Sequence, residues 1–219
     1  MSVIAAVPVK DFATAKLRLR GGLDAEGCAA LARAMASDVL HAVAGARTVA
    51  RCVVVGGQDA RRLAADHSCG YCSDSGCDTL SAAIARAAQH CADAGAETLL
   101  VLPADLPTLR AADLNQLLHR HRGGLSLCPA DADGGTNALV VTPPDAIEFR
   151  YGPDSARRHL KAAEQAGLQV RCVTLPAFAR DVDRLEDLHR LACLPVGHNT
   201  RAWLERDATT HANAVAASQ

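Results

Sequence analysis

Aromatic side chains are scarce: three Phe, two Tyr and one Trp in 219 residues, with only two Met. A core made without them must be filled by Ala, Val and Leu, and a hydrophobic fraction of 49% suffices. No apolar run approaches the roughly 20 residues that a membrane-crossing helix needs, so no membrane partner is expected. An excess of one charge is also missing. Lys and Arg number 23 against 24 Asp and Glu, and no basic run occurs, which argues against nucleic acid or an anionic membrane surface as partner. Met1 to Lys10 lacks the basic leader of a signal peptide and reads as a first strand, so a soluble, cytoplasmic protein is expected. There is no Walker lysine motif, no Gly-x-Ser-x-Gly and no Gly-x-Gly-x-x-Gly after a strand, which leaves P-loop, serine-hydrolase and dinucleotide readings without support.

Nine cysteines, an odd number, are scattered from Cys28 to Cys193, as in an intracellular enzyme with free thiols. A zinc site from His67, Cys69, Cys72 and Cys77 is the alternative, although no second Cys-x-x-Cys pair accompanies it.

Short apolar runs alternate with helical periodicity. Strands are expected at 3–9, 52–55, 69–73, 98–102, 125–128, 137–142 and 168–174. Helices are expected from Asp24, over 58–66, from an Asp78 cap with Leu80, Ile84, Ala87 and Cys91 turned inward, and through Leu114, Leu117, Leu118 and His121. Two more follow, one with Pro153 at its first position and a last one in which Asp183 and Glu186 form a capping box. The pattern predicts an α/β fold with a mostly parallel central sheet and helices on both faces. One domain is expected over 1–194, followed by a C-terminal extension, 195–219, whose end beyond about 207 lacks apolar periodicity and reads as disordered.

In such sheets ligands gather beyond the carboxyl ends of the strands. The loop after the first strand carries Lys10, Lys16 and Arg18, cations suited to the phosphates of a nucleotide and to the charge on departing pyrophosphate. Asp74 and Gly76 lead a later loop, where a carboxylate can accept from the adjacent N–H donors of a guanine edge. Asp105 stands between Pro103 and Pro107 at the mouth of the most apolar strand, a rigid place for a magnesium ligand. Asp181 and Asp183, one residue apart, emerge on one side if the segment is extended, with Cα atoms roughly 6.5–7 Å apart; Asp183 can alternatively cap the last helix. The Gly134-Gly135 turn, Thr136, Gly152 and Ser155 suit a phosphate or carboxylate, because hydroxyls and helix-start amides converge there. Lys16 and Asp105 are the candidates for a direct catalytic part.

In order along the chain stand Val7-Pro8-Val9-Lys10 with Ala15-Lys16-Leu17-Arg18-Leu19, Leu102-Pro103-Ala104-Asp105-Leu106-Pro107, Gly134-Gly135-Thr136-Asn137-Ala138-Leu139, Tyr151-Gly152-Pro153-Asp154-Ser155 with His159, and Asp181-Val182-Asp183. This set resembles the guanylyltransferase family of deazaflavin coenzyme (F-420) biosynthesis, which acts on 2-phospho-L-lactate, phosphoenolpyruvate or 3-phospho-D-glycerate. The resemblance covers about residues 3–192 and implies a Rossmann-like nucleotidyltransferase fold, GTP and Mg2+. It further implies that Thr136, Gly152 and Ser155 bind the acid and that Asp105, Asp181 and Asp183 hold the metal. The unstable product implies hand-off to a downstream transferase. Leu17 stands where the family often has Ser, and Leu80-Ser81 where Leu-Asn is usual. A nucleotidyltransferase acting on a sugar phosphate or molybdenum cofactor and a non-catalytic nucleotide-binding module are the alternative readings; monomer and homodimer both remain open.

Overall fold

In a computed structural model of the chain, the alternating segments form one mixed sheet covered by helices on both faces. The structure describes residues 2–16, 19–20, 22–130, 134–179 and 181–206. Among these, seven strands are β1 (Val3–Val9), β2 (Arg51–Gly56), β3 (Gly70–Ser73), β4 (Thr98–Val101), β5 (Gly124–Pro129), β6 (Thr136–Thr142) and β7 (Val170–Cys172). They lie in the order β3-β2-β1-β4-β6-β5-β7.

β1 shows why both faces are covered. Val3, Ala5, Val7 and Val9 enter one core cluster while Ile4 and Ala6 enter the other, so the strand has no solvent face for a polar side chain. Helices α1 (Ala25–Gly45), α2 (Gln58–Asp66) and α4 (Ala111–Arg120) close the first face. Helices α3 (Leu80–Asp93) and α5 (Ser155–Gln165) close the second.

β1 runs parallel to β2 and β4, β2 to β3, and β5 to β7, as the mostly parallel reading requires. β6 is antiparallel to both neighbours. The reason is length: the connection 130–135 is far shorter than the dozen or more residues a parallel crossover takes. β6 therefore begins on the rim where the other six strands end. Strand order reverses between β1 and β4, so the loops after them flank a topological switch point.

A third cluster joins Leu19 and Leu23 to Leu31 and Met35 of α1, Val182, Leu191 and Trp203. Residues 198–206 are helical and anchored by the buried Asp38, whose carboxylate accepts from Asn199 N at 2.9 Å, Asn199 Nδ2 at 2.9 Å and Thr200 N at 2.8 Å. Gly197 permits this approach, since a Cβ there would stand 2.3 Å from Asp38 Cγ. The segment expected to lie beyond the domain at 194 is thus docked on it as far as 206; residues 207–219 lie outside those described.

Helix starts differ locally from expectation. Thr79, not Asp78, caps α3 by accepting from Ala82 N at 3.1 Å, and Leu80 is 39% exposed rather than inward. α5 begins at Ser155, with Pro153 in the preceding turn and Asp154 in the left-handed region (φ 53). α6 (Pro176–Ala179) and α7 (Leu185–Leu191) follow β7. Asp187 serves the start of α7, accepting from Arg184 N at 2.9 Å and Asp183 N at 3.2 Å, so the Asp183 carboxylate is turned to other use. Among the described residues no helix is long and apolar enough to cross a membrane.

Candidate active site

The loop after β1 is pinned from three sides. The Asp11 side chain accepts from Ala13 N at 2.9 Å, Asp59 of α2 accepts from Phe12 N at 2.9 Å, and the Arg33 guanidinium of α1 lies 5.2 Å over the Phe12 ring. Neither long-range anchor has a local signal in the sequence. Lys16 then adopts a left-handed backbone (φ 54), which a non-glycine residue holds only when its surroundings enforce it. Its ammonium lies 2.5 Å from Asp105 Oδ2 and 2.9 Å from Asp183 Oδ1, with the side chain 9% exposed. Burial works against that charge, but the Asp105 and Asp183 carboxylates outweigh it and hold Lys16 above the ordinary lysine range.

Asp105 is set by its neighbour: Leu106 is fully buried and fixes the turn after β4. Val182 does the same for the other pair, entering the third cluster while Asp181 and Asp183 emerge on the opposite side. One oxygen from each of Asp105, Asp181 and Asp183 lies within 4.8 Å of the others. Asp105 Oδ1 is buried with no hydrogen-bond partner. Three carboxylates with an unpartnered buried oxygen form a hard oxygen donor set, which fits a divalent cation such as Mg2+.

Burial, then repulsion from Asp105 and Asp183, pushes the Asp181 carboxyl up to about 6 from 3.8. Between those values the folded chain holds a proton that the unfolded chain has released, so this group makes metal-free stability fall as pH rises through the window. His159, pushed down to about 4 by burial, acts with the opposite sign over an overlapping range. The difference between the parent and Asp181→Asn isolates the carboxyl. In urea titrations without divalent cation, the variant should gain stability on the parent from pH 4 to pH 6 and then level off. A constant difference would remove Asp181 from the carboxylate cluster.

The second group of candidates sits one strand away. The β4/β6 register sets Val101 opposite Leu139, so Thr136, three residues before Leu139, lies toward Ala104 and Asp105. Thr136 Oγ1 is 3.0 Å from Ser155 Oγ and 3.1 Å from His159 Nδ1, and all three residues are buried. Gly152 has φ 114, a conformation suited to glycine, and a Cβ there would meet Arg158 Nη2 at 3.1 Å. The helix start is less open than the sequence suggests. Ser155 N donates to Gly152 O and Ala156 N to Gly134 O, each at 3.1 Å, so these two amides are already engaged. Ser81 joins this loop to α3 by accepting from Tyr151 N at 2.9 Å, a link that its place in the sequence did not signal.

Lys10 is exposed at the end of β1, and Asp74 and Gly76 form the turn after β3, closed by Cys77 N donating to Asp74 O at 2.8 Å. The structure brings together Lys16, Asp105, Asp181 and Asp183, but sets Asp74 and Gly76 apart from them, beyond β2 and β1 on the same rim. Arg18 lies outside the described residues. The zinc alternative is not assembled, because Cys69 packs in the first face's cluster and Cys72 and Cys77 in the second's.

Comparison with known proteins bears on the family and the fold. The family model described as guanylyl transferase CofC like matches residues 1–211. A phosphoenolpyruvate guanylyltransferase of Conexibacter woesei is 39% identical over 195 residues, 87% of each chain. A 3-phospho-D-glycerate guanylyltransferase of Colwellia psychrerythraea is 33% identical over 193 residues, 86% of this chain and 90% of the other. Among solved structures, a protein from Desulfovibrio desulfuricans G20 superposes with a TM-score of 0.77 at 21% identity, covering 95% of this chain and 96% of its own, and a nucleotidyl transferase from Methanothermobacter with a TM-score of 0.61 at 16% identity, covering 94% and 99%. The shared architecture is the Rossmann-like nucleotidyltransferase fold.

Proposed function

The chain belongs to the CofC-like guanylyl transferase family, and from that premise we propose that it joins the GMP moiety of GTP to the phosphate of a three-carbon phosphorylated acid, releasing pyrophosphate. The observation that carries this reading is the adjacency of two groups at one switch point: a carboxylate trio, two of whose members Lys16 bridges, and the buried Thr136–Ser155 hydroxyl pair with the His159 imidazole one strand over.

The rim has the right length. Three inter-strand spacings, about 14 Å, separate the ends of β3 and β4. A nucleotide with its base near Asp74 and its phosphates near Lys16 runs along that line and ends beside Thr136. The acid's phosphate oxygen then attacks the α-phosphorus, a P–O bond forms, and the bond to the β-phosphate oxygen breaks. A phosphate dianion needs no protein base at neutral pH; the obstacle is repulsion between two anions held in line. Mg2+ held by Asp105, Asp181 and Asp183 would supply the charge screening for that approach. Lys16 adds a fixed cation at the same place, and the hydroxyls of Thr136 and Ser155 orient the smaller anion. The product suits the deazaflavin coenzyme F-420 pathway, with hand-off to a downstream transferase.

Phosphoenolpyruvate is the first acid to assay, because relatives of that name match most of the chain at 35–40% identity. Purified protein with GTP, Mg2+ and phosphoenolpyruvate, 2-phospho-L-lactate or 3-phospho-D-glycerate should release pyrophosphate with at least one of the three. GTP binding without pyrophosphate from any of them would overturn the proposal.

A further inference from the structure

We propose that His159 is a positioning residue of the acid subsite, a buried imidazole in one fixed tautomer that keeps the Thr136–Ser155 pair a hydrogen-bond donor to an incoming anion. The inference rests on the acid-binding reading above. His159 is 0% exposed and both ring nitrogens are engaged: Nε2 lies 2.8 Å from Arg150 N and Nδ1 lies 3.1 Å from Thr136 Oγ1. A backbone N–H only donates, so Nε2 carries the lone pair and the proton of the neutral ring sits on Nδ1.

The count of protons follows. Nδ1–H donates to Thr136 Oγ1, and the Thr136–Ser155 contact at 3.0 Å consumes one of the two hydroxyl protons, whichever residue supplies it. One hydroxyl proton is left to meet a phosphate or carboxylate. In the opposite tautomer Nδ1 would accept from Thr136, Ser155 would donate to Thr136, and none would remain. Burial, with the Arg158 guanidinium nearby, keeps the ring neutral by holding it down to about 4. The Tyr151 and Phe149 rings, with centroids 4.7 and 6.5 Å away, fix its plane. The same ring ties together the start of β6, the segment leading to Gly152, and α5.

Two near-isosteric variants separate the bonds. His159→Gln can still accept from Arg150 N but offers no donor to Thr136, whereas His159→Asn can place an N–H near Thr136 but reaches nothing at Nε2. With steady-state kinetics on the full chain, Gln should raise the acid's KM about tenfold and Asn about threefold, with kcat and the KM for GTP little changed. Calorimetric titration with phosphoenolpyruvate alone should reproduce that order without turnover. Equal effects of the two variants, or effects falling on kcat or GTP instead, would overturn the role of His159 while leaving guanylyl transfer standing. A parent protein that binds the acid but releases no pyrophosphate would overturn the transfer reading, and the calorimetric comparison would still decide the role of His159.

Discussion

Asp105→Asn should lower pyrophosphate release by about 10²–10³-fold. The carboxylate has two functions that an amide cannot fill together. Its Oδ2 holds the Lys16 ammonium at 2.5 Å, and its buried Oδ1 has no protein partner and is available to a cation. Asparagine keeps the shape of the side chain but removes a negative charge from the trio, and with its carbonyl oxygen accepting from Lys16 it turns an N–H donor toward the position a cation would take. The fold should survive, because Lys16 retains Asp183 at 2.9 Å and Leu106 still anchors the turn. A loss of about 1.5–3 kcal/mol, the scale of a hydrogen bond to a charged group, is expected in denaturant titration. Near-normal turnover would remove Asp105 from the reacting centre; a collapsed fold would show its role to be structural.

Lys16→Met tests the same cluster from the cationic side. With the ammonium gone, Asp105, Asp181 and Asp183 face one another without the positive charge that now sits between two of them. Turnover should fall about 100-fold, since a fixed cation aimed at developing phosphate charge is lost. Stability should respond in a diagnostic way. Without divalent cation the variant should melt below the parent, and added Mg2+ should raise its melting temperature more than the parent's, because the ion relieves a larger repulsion. Equal Mg2+ shifts in the two proteins would mean that Lys16 does not act as counter-ion to the cluster.

Much of this was legible in the chain. Apolar runs too short for helices marked the strands, and Asp105 stood out because Pro103 and Pro107 bracket it at the end of the most apolar one. The Asp-x-Asp spacing announced two carboxylates on one side, and Val182 enters the core between them. What escaped reading depends on contacts distant in sequence. Nothing around Lys16 signals that residues 89 and 167 positions away will hold it. His159 looks like any helix histidine until Arg150 N is found on one nitrogen and Thr136 on the other. Asp183 was ambiguous between cap and ligand, and only Asp187 taking the capping bonds resolves its direction. The reversed direction of β6 had a signal, the brevity of its connection to β5, which the general alternation of strands and helices obscured.

The docked helix at 198–206 carries Trp203. Its indole is the chain's single tryptophan, and it is buried in the cluster that also receives Val182, the residue flanked by two of the acidic side chains. The protein therefore carries an intrinsic optical gauge seated behind its own charged centre, and rearrangement of that loop can be followed by emission without attaching any dye.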